Sequence, residues 1–359
     1  MEVDRRSADD ARDTQVVLVT GVAGYWGKRL ARRLLQEPAL HTIGIDNDPP
    51  EAELAGLDFI QADVRNPLLA ELLRAEIVGT VCHLAFADEG KRRSEALFDY
   101  NVMGTMKVIG ACAEAGVSKV VLKSSTQVYG AHPDNDAFLA EDSPLRGSRR
   151  AGSIRYRLEI EAFCNGFRRQ APQLALTVLR FANVVGPTAG SAMNRYLRGP
   201  LAPMLLGFDP MMQVIHEDDV VDALAFAVAN DTPEVCNVAA DPPLPLLRIL
   251  GLAGRLPLPV LHPVAYRVFN RLGVPFAADY LRYRWVADLS RMHDAMDFYP
   301  QLTGDAAVEA LGAQVRMNKY QPGAQDMAYD EERLRKTLER RRDGRSETEG
   351  SNIEEVEDG

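Results

Sequence analysis

Short apolar runs alternate with amphipathic stretches along the first two thirds of the chain. Val16-Val17-Leu18-Val19 halts at Thr20, and Lys28 to Leu35 carries Leu30, Ala31, Leu34 and Leu35 at helical spacing. The same pattern predicts strands at 16–20, 41–46, 57–60, 78–84, 118–124, 174–181, 213–216 and 235–238. It predicts helices at 25–36, 67–75, 94–115, 153–170 and 218–229. Unbroken apolar strands such as Val120-Val121-Leu122 belong in a parallel sheet covered on both faces. Alternating β and α elements with right-handed crossovers then give an α/β, Rossmann-type doubly wound sheet.

From residue 186 the pattern breaks up and Pro and Gly become dense. The expected organisation is a charged, disordered leader at 1–14 and a dinucleotide-type domain at 15–185, with 213–238 returning to its sheet. A smaller C-terminal substrate-side domain takes 186–212 and 239–340, including a charged helix from Asp330 to Arg342. The tail 341–359 is too acidic and too poor in apolar residues to order itself. Leu247 to Phe276, rich in Leu, Val and Pro with four interspersed arginines, reads as a helical layer on the substrate cleft or as an amphipathic element touching a membrane.

Composition narrows the partners. At 359 residues, 46% hydrophobic and 26% charged, the chain has the balance of an ordinary globular protein. A net charge of -10 offers no basic stripe for nucleic acid, so a small-molecule substrate is the expected partner. No apolar run approaches the length of a transmembrane helix, and the leader lacks the apolar core of a signal peptide. Four scattered cysteines without metal-ligand spacing read as buried thiols of a reducing, cytoplasmic setting.

The chemistry starts at the first turn. Gly21, Gly24 and Gly27 follow a strand and open a helix, together with Ala23, Tyr25 and Trp26. Backbone N–H groups and the positive end of a helix there suit a pyrophosphate. Asp46 ends the second strand, 19 positions beyond Gly27, where an acid accepts from an adenosine ribose and repels a 2′-phosphate. NAD is therefore the expected cofactor. Later strand ends add Asp63-Val64, facing an adenine amino group, then Leu84-Ala85, Asn101, Ser124-Ser125-Thr126 and Phe181-Ala182-Asn183.

In this order the segments TGVAGYWG (20–27), ADV (62–64), HLA (83–85), NVMGT (101–105), SSTQVYG (124–130), RFANVVGP (180–187) and QVIHEDDVVDAL (213–224) resemble the extended short-chain dehydrogenases/reductases, the NAD-dependent sugar epimerase/dehydratase family. The resemblance covers about Val16 to Ala225. It implies an NAD domain, a small substrate domain and often a homodimer. It also implies a Tyr four residues before a Lys on one helix, where the Lys lowers the Tyr pKa and the Tyr moves the proton, with a Ser or Thr of the fifth strand completing the site.

Here the sequence departs. Anchored on Glu161, the helix 153–161 puts Ser153 at the Tyr position and Arg157 at the Lys position. An alcohol is a poor proton shuttle near neutrality, and a guanidinium spreads its charge over a planar fork. Tyr156 falls about 60° from the expected face, by three residues of helix rotation. It enters the site if the register shifts and packs against the sheet if it does not. Ser125 takes the Ser/Thr position, with Thr126 beside it, and Asn183 faces the substrate. The place where nucleotide-sugar members carry an Arg reads Phe208-Asp209-Pro210-Met211-Met212, which suggests a more apolar cleft. Arg195 and Arg198 are the candidate replacements. Two functions follow: an NAD-dependent oxidoreductase of epimerase/dehydratase type, or a catalytically inactive NAD-binding regulator or partner subunit.

Overall fold

The computed structural model describes residues 15–50, 54–87, 94–148 and 152–320. The predicted leader, the helix 330–342 and the acidic tail lie outside them. The chain runs β1 (Gln15–Thr20), α1 (Tyr25–Leu34), β2 (Leu40–Asp46), β3 (Asp58–Gln61), α2 (Leu69–Ala75), β4 (Thr80–His83), α3 (Ser94–Phe98), α4 (Gly104–Ala115), β5 (Lys119–Ser125), α5 (Gly152–Phe167) and β6 (Ala175–Phe181). Then come β7 (Asn183–Val185), α6 (Ala192–Tyr196), β8 (Leu201–Leu205), β9 (Met211–Met212), β10 (Val214–His216), α7 (Glu217–Ala229) and β11 (Val235–Val238). The last elements are β12 (Leu244–Pro245), α8 (Leu246–Leu252), β13 (Leu256–Val260), α9 (His262–Leu272), α10 (Ser290–Asp294) and α11 (Gly304–Tyr320). One compact unit ends at Leu311, and a second starts at Gly312.

Seven parallel strands form the central sheet in the order β11-β6-β5-β4-β1-β2-β3. The order reverses at β1, so the carboxyl ends of β1 and β4 open a crevice. Strand alternation divides the core in two. Val17 and Val19 pack with Leu30 and Leu34 of α1 and Val220 and Leu224 of α7. Leu18 packs on the other face with Ile109 and Cys112 of α4 and Ile160 and Cys164 of α5. Burying each such side chain contributes about 1.5–3 kcal/mol, which is why the central strands carry no polar face.

Three details depart from the sequence pattern. The predicted helix 94–115 is broken by a π-turn at Asp99–Met103, which turns Asn101 inward. Only β11 returns to the main sheet. Val214–His216 pairs instead with Asn183–Val185 in a separate parallel ladder, because the chain has already left the sheet after Phe181. Leu247 to Phe276 is not one helical layer, since β13 within it pairs in parallel with β8. Pro257 and Pro259 fit because β13 pairs along one edge only.

Candidate functional site

A cleft of about 710 Å³ runs along the carboxyl ends of β2, β1, β4, β5 and β6. Its walls include Gly21, Ala23, Gly24, Tyr25, Trp26 and Asp46 at one end, and Leu84, Ala85 and Asn101 in the middle. Ser125, Ser153, Tyr156, Arg157, Phe181 and Asn183 stand at the other end. Gly27, Asp63, Val64 and Thr126 are not among the wall residues.

The three glycines have separate tasks. Gly21 has φ +74°, and a Cβ there would lie 2.6 Å from the backbone of Leu84 and Ala85. A Cβ on Gly27 would lie 2.1 Å from the Gly21 carbonyl oxygen. Both therefore serve the close packing of turn, helix and neighbouring strand. Gly24 caps α1 without a side chain, and the first turn of α1 holds no acid. The first N–H groups of α1 thus meet no acid of the helix itself, which fits a pyrophosphate. Asp46 helps shape this turn. Its Oδ2 accepts from the Ala23 N–H at 2.9 Å and its Oδ1 from the Asn47 N–H at 2.8 Å.

Beneath the turn lies a buried polar chain. Thr20 Oγ1 accepts from the N–H groups of Leu84 and Ala85 and sits 2.7 Å from His83 Nδ1. His83 Nε2 is 3.0 Å from Thr105 Oγ1, which donates to the Asn101 carbonyl. One tautomer satisfies every group: the proton on Nε2, the Thr20 hydroxyl donating to Nδ1. Burial holds the imidazole neutral, its pKa pushed down to about 3. The Asn101 amide binds both backbone groups of Ala87, so it fixes the loop after β4. Asp63 and Val64 lie off the cleft wall, and Arg65 donates to both Asp63 carboxylate oxygens.

The other end has an equally satisfied base. Glu161 accepts from Ser124 Oγ at 2.5 Å and from Arg180 Nε and Nη2 at 2.9 and 2.6 Å. Arg180 Nη1 donates to Tyr129 Oη, which donates to Asn237 Oδ1. Burial pushes the Tyr129 phenol up to about 12, so it stays protonated as a structural donor. Above this base the groups differ. Ser125 Oγ caps the following turn by accepting from the Gln127 N–H, while Thr126 is buried beneath it. Asn183 Nδ2 donates to the Gln213 carbonyl. Ser153 is exposed on the first turn of α5, and Arg157 Nη1 donates to its carbonyl oxygen at 3.0 Å. Tyr156 is 5% exposed, its ring packed in the apolar cluster of α4 and α5 and edge-on to Phe98. The helix keeps its regular register, so the ring forms cleft wall with its body in the core.

Several site features escaped the sequence. Lys123 lines the cleft, its Nζ 4.7 Å from the Trp26 ring centroid and 5.6 Å from that of Phe181. Strand alternation is the signal that finds it, since Lys123 and Ser125 share a face opposite Ser124. Arg195 of α6 reaches the cleft wall, but Arg198 does not. Tyr25 Oη donates to Glu217 Oε2 at 2.7 Å and lies 2.8 Å from Thr188 Oγ1, tying α1 to the loop after β7. Arg29 extends the tie to Asp218. The expected apolar cleft at 205–212 is not formed. Beside the pairing of β8 with β13 and of β9 with β12, Leu205 and Met212 are buried, while Leu206 and Met211 are exposed.

The profile of the NAD dependent epimerase/dehydratase family matches residues 17–239. An uncharacterized protein of Mycobacterium tuberculosis is 36% identical over 308 residues, covering 80% of this chain and 81% of its own. The short-chain dehydrogenase/reductase family 42E member 1 of Xenopus laevis is 27% identical over 247 residues, covering 65% of this chain and 63% of its own. Among solved structures, the UDP-glucose 4-epimerase of Thermotoga maritima superposes with a TM-score of 0.65 at 20% identity, over 85% of this chain and 99% of that one. A dTDP-glucose 4,6-dehydratase of Streptomyces venezuelae gives 0.66 at 20% identity, over 85% and 98%. These likenesses show the fold, and the family match shows the cofactor class. The chain belongs to the NAD dependent epimerase/dehydratase family.

Proposed function

We propose that this NAD-dependent oxidoreductase acts on a sugar-like, hydroxyl-bearing small molecule held at the polar end of the cleft. The observation that carries the reading is continuity: one cleft joins the glycine turn to Ser125, Asn183, Ser191 and Arg195. Asp46 receives the adenosine ribose, the start of α1 the pyrophosphate, and Arg157 the second ribose. The chemistry that bound NAD supplies is hydride acceptance. Ser125 Oγ positions the reacting hydroxyl or carbonyl, and Arg195 offers a cation to the far side of the substrate. With Ser153 in place of a phenol, proton transfer runs through Ser125 and water rather than through a Tyr–Lys pair. The reading includes a homodimer, which sedimentation velocity checks. It also includes a reducing, cytoplasmic setting, in keeping with the four buried thiols.

A second reading is a protein that binds NAD without turning it over. It is favoured by Ser153 and Arg157 standing where the relay belongs and by the burial of Tyr156. NADH titration of the full chain, followed by a hydride-transfer screen over sugar, nucleotide-sugar and simple alcohol substrates, separates the two. Turnover supports the first reading; saturable binding with no turnover supports the second. Ser153→Tyr combined with Arg157→Lys is expected to raise turnover under either.

A further inference from the structure

Charge is unevenly distributed over the molecule. Residues 187–208 and 242–278 hold six of the 41 basic residues, all arginine, and none of the 51 acidic ones. The fold brings these two segments together: β8 pairs with β13, and Tyr196 packs edge-on to Phe276 at 5.7 Å between centroids. The lobe they form is rich in arginine and meets acids only at its margins, where Asp209 accepts from the Leu247 N–H and Asp279 from the Tyr266 hydroxyl, in a chain of net charge -10.

The same lobe exposes its apolar side chains. Leu201, Leu206, Leu256, Leu261, Val264 and Leu272 are each between 44% and 66% exposed. Register places Leu201 beside Leu256, and the Leu206 N–H bonds the Val260 carbonyl next to Leu261. The helix α9 explains the rest. It buries Ala265 and Phe269 and leaves Val264, Val268 and Leu272 as an apolar row beside them. Arg267 and Arg271 form the adjacent row, within about 60° of Val264 on the helix. An exposed apolar row flanked by arginines is the pattern of a helix lying in a lipid interface, its guanidinium groups reaching the headgroups. Large exposed leucines are otherwise a cost to a protein in water.

We propose that this lobe docks the protein on an anionic lipid surface, with α9 in the headgroup plane. Charge complementarity selects the occupant: a surface with more arginines than acids meets anionic headgroups, while the rest of the acidic chain is repelled. Among the described residues no helix is long and apolar enough to cross a membrane, so the association is peripheral. Arg248 is already paired with Asp305, which leaves Arg255, Arg267 and Arg271 as the principal headgroup contacts. The docked face adjoins the substrate end of the cleft, because Met193 and Arg195 of α6 line that end just before β8 begins.

Flotation of the full chain with vesicles of phosphatidylcholine, and of phosphatidylcholine mixed with phosphatidylglycerol, tests this. Binding to the mixed vesicles only, weakened by salt, is the expected result. Arg267→Gln with Arg271→Gln should lower partitioning roughly 25-fold, at about fivefold per arginine. Leu261→Ser with Leu272→Ser should lower it at least roughly tenfold. All four side chains are exposed, so NADH affinity and the thermal midpoint should stay as in the parent chain. No binding to either vesicle, equal binding to both, or wild-type binding by the variants overturns the proposal. So does a dimer that the leucine variant dissociates without any vesicle binding, because the face is then a protein interface.

Discussion

The two ends of the cleft rest on equally complete foundations but present different surfaces. At the dinucleotide end, Thr20, His83, Thr105 and Asn101 form an unbroken buried chain beneath the glycine turn and Asp46. At the proposed hydride end, Ser124, Glu161, Arg180 and Tyr129 are just as fully satisfied, while Ser153 and Arg157 stand where the proposed reading puts the relay. The departure is confined to side chains on one open face of α5. Change one layer down would strand a buried charge. Architecture and chemistry can therefore part company within a single helix.

The comparison breaks first at its foundations. Arg180→Met leaves the Glu161 carboxylate buried and unpaired, and should destabilise the protein by about 3–5 kcal/mol in denaturant unfolding. Arg157→Met should cost clearly less than Arg180→Met, because Arg157 is only half-buried and its removal leaves no fully buried carboxylate unpaired. Equal losses would show that both arginines belong to the frame. At the other end, Gly27→Ala drives a methyl group into the Gly21 carbonyl, at a cost of about 3 kcal/mol, and should abolish NADH binding in a fluorescence titration.

The dinucleotide end also carries a pH signature. His83 binds a proton near pH 6.5 when unfolded but only near about 3 when folded. Between those values the unfolded state holds more protons, so stability falls as pH drops, by up to about 1.4 kcal/mol per unit. Urea midpoints at pH 7 and pH 5.5 measure it. A flat response would mean that the imidazole is already charged in the folded protein. A smaller effect separates the acids of the cleft. Asp46→Ala removes an anchor of the Ala23 N–H and should cost about 1–2 kcal/mol of NADH affinity while narrowing the preference over NADPH.

Much of the frame was legible in the sequence because it follows local periodicity. The runs at 16–20 and 118–124 and the spaced glycines each report on themselves and their neighbours. Asp46 could be placed because its distance from the glycine turn is short. What stayed hidden depends on partners far apart in the chain. His83 is read only with Thr20, 63 residues away, and Arg180 only with Glu161 and Tyr129. The strand β13 was masked by its prolines, and Val214–His216 carried a strand pattern without naming its partner. Lys123 was visible by alternation but is meaningful only once Trp26 and Phe181 are seen around it.

The most direct measurement is an NADH titration, followed by fluorescence, of the parent chain and of Tyr156→Phe. An intact dinucleotide end with no phenol in the relay predicts saturable binding of one NADH per chain, with the same affinity in both proteins. Failure of the parent chain to saturate would contradict the account, and so would a loss of affinity on removing the Tyr156 hydroxyl.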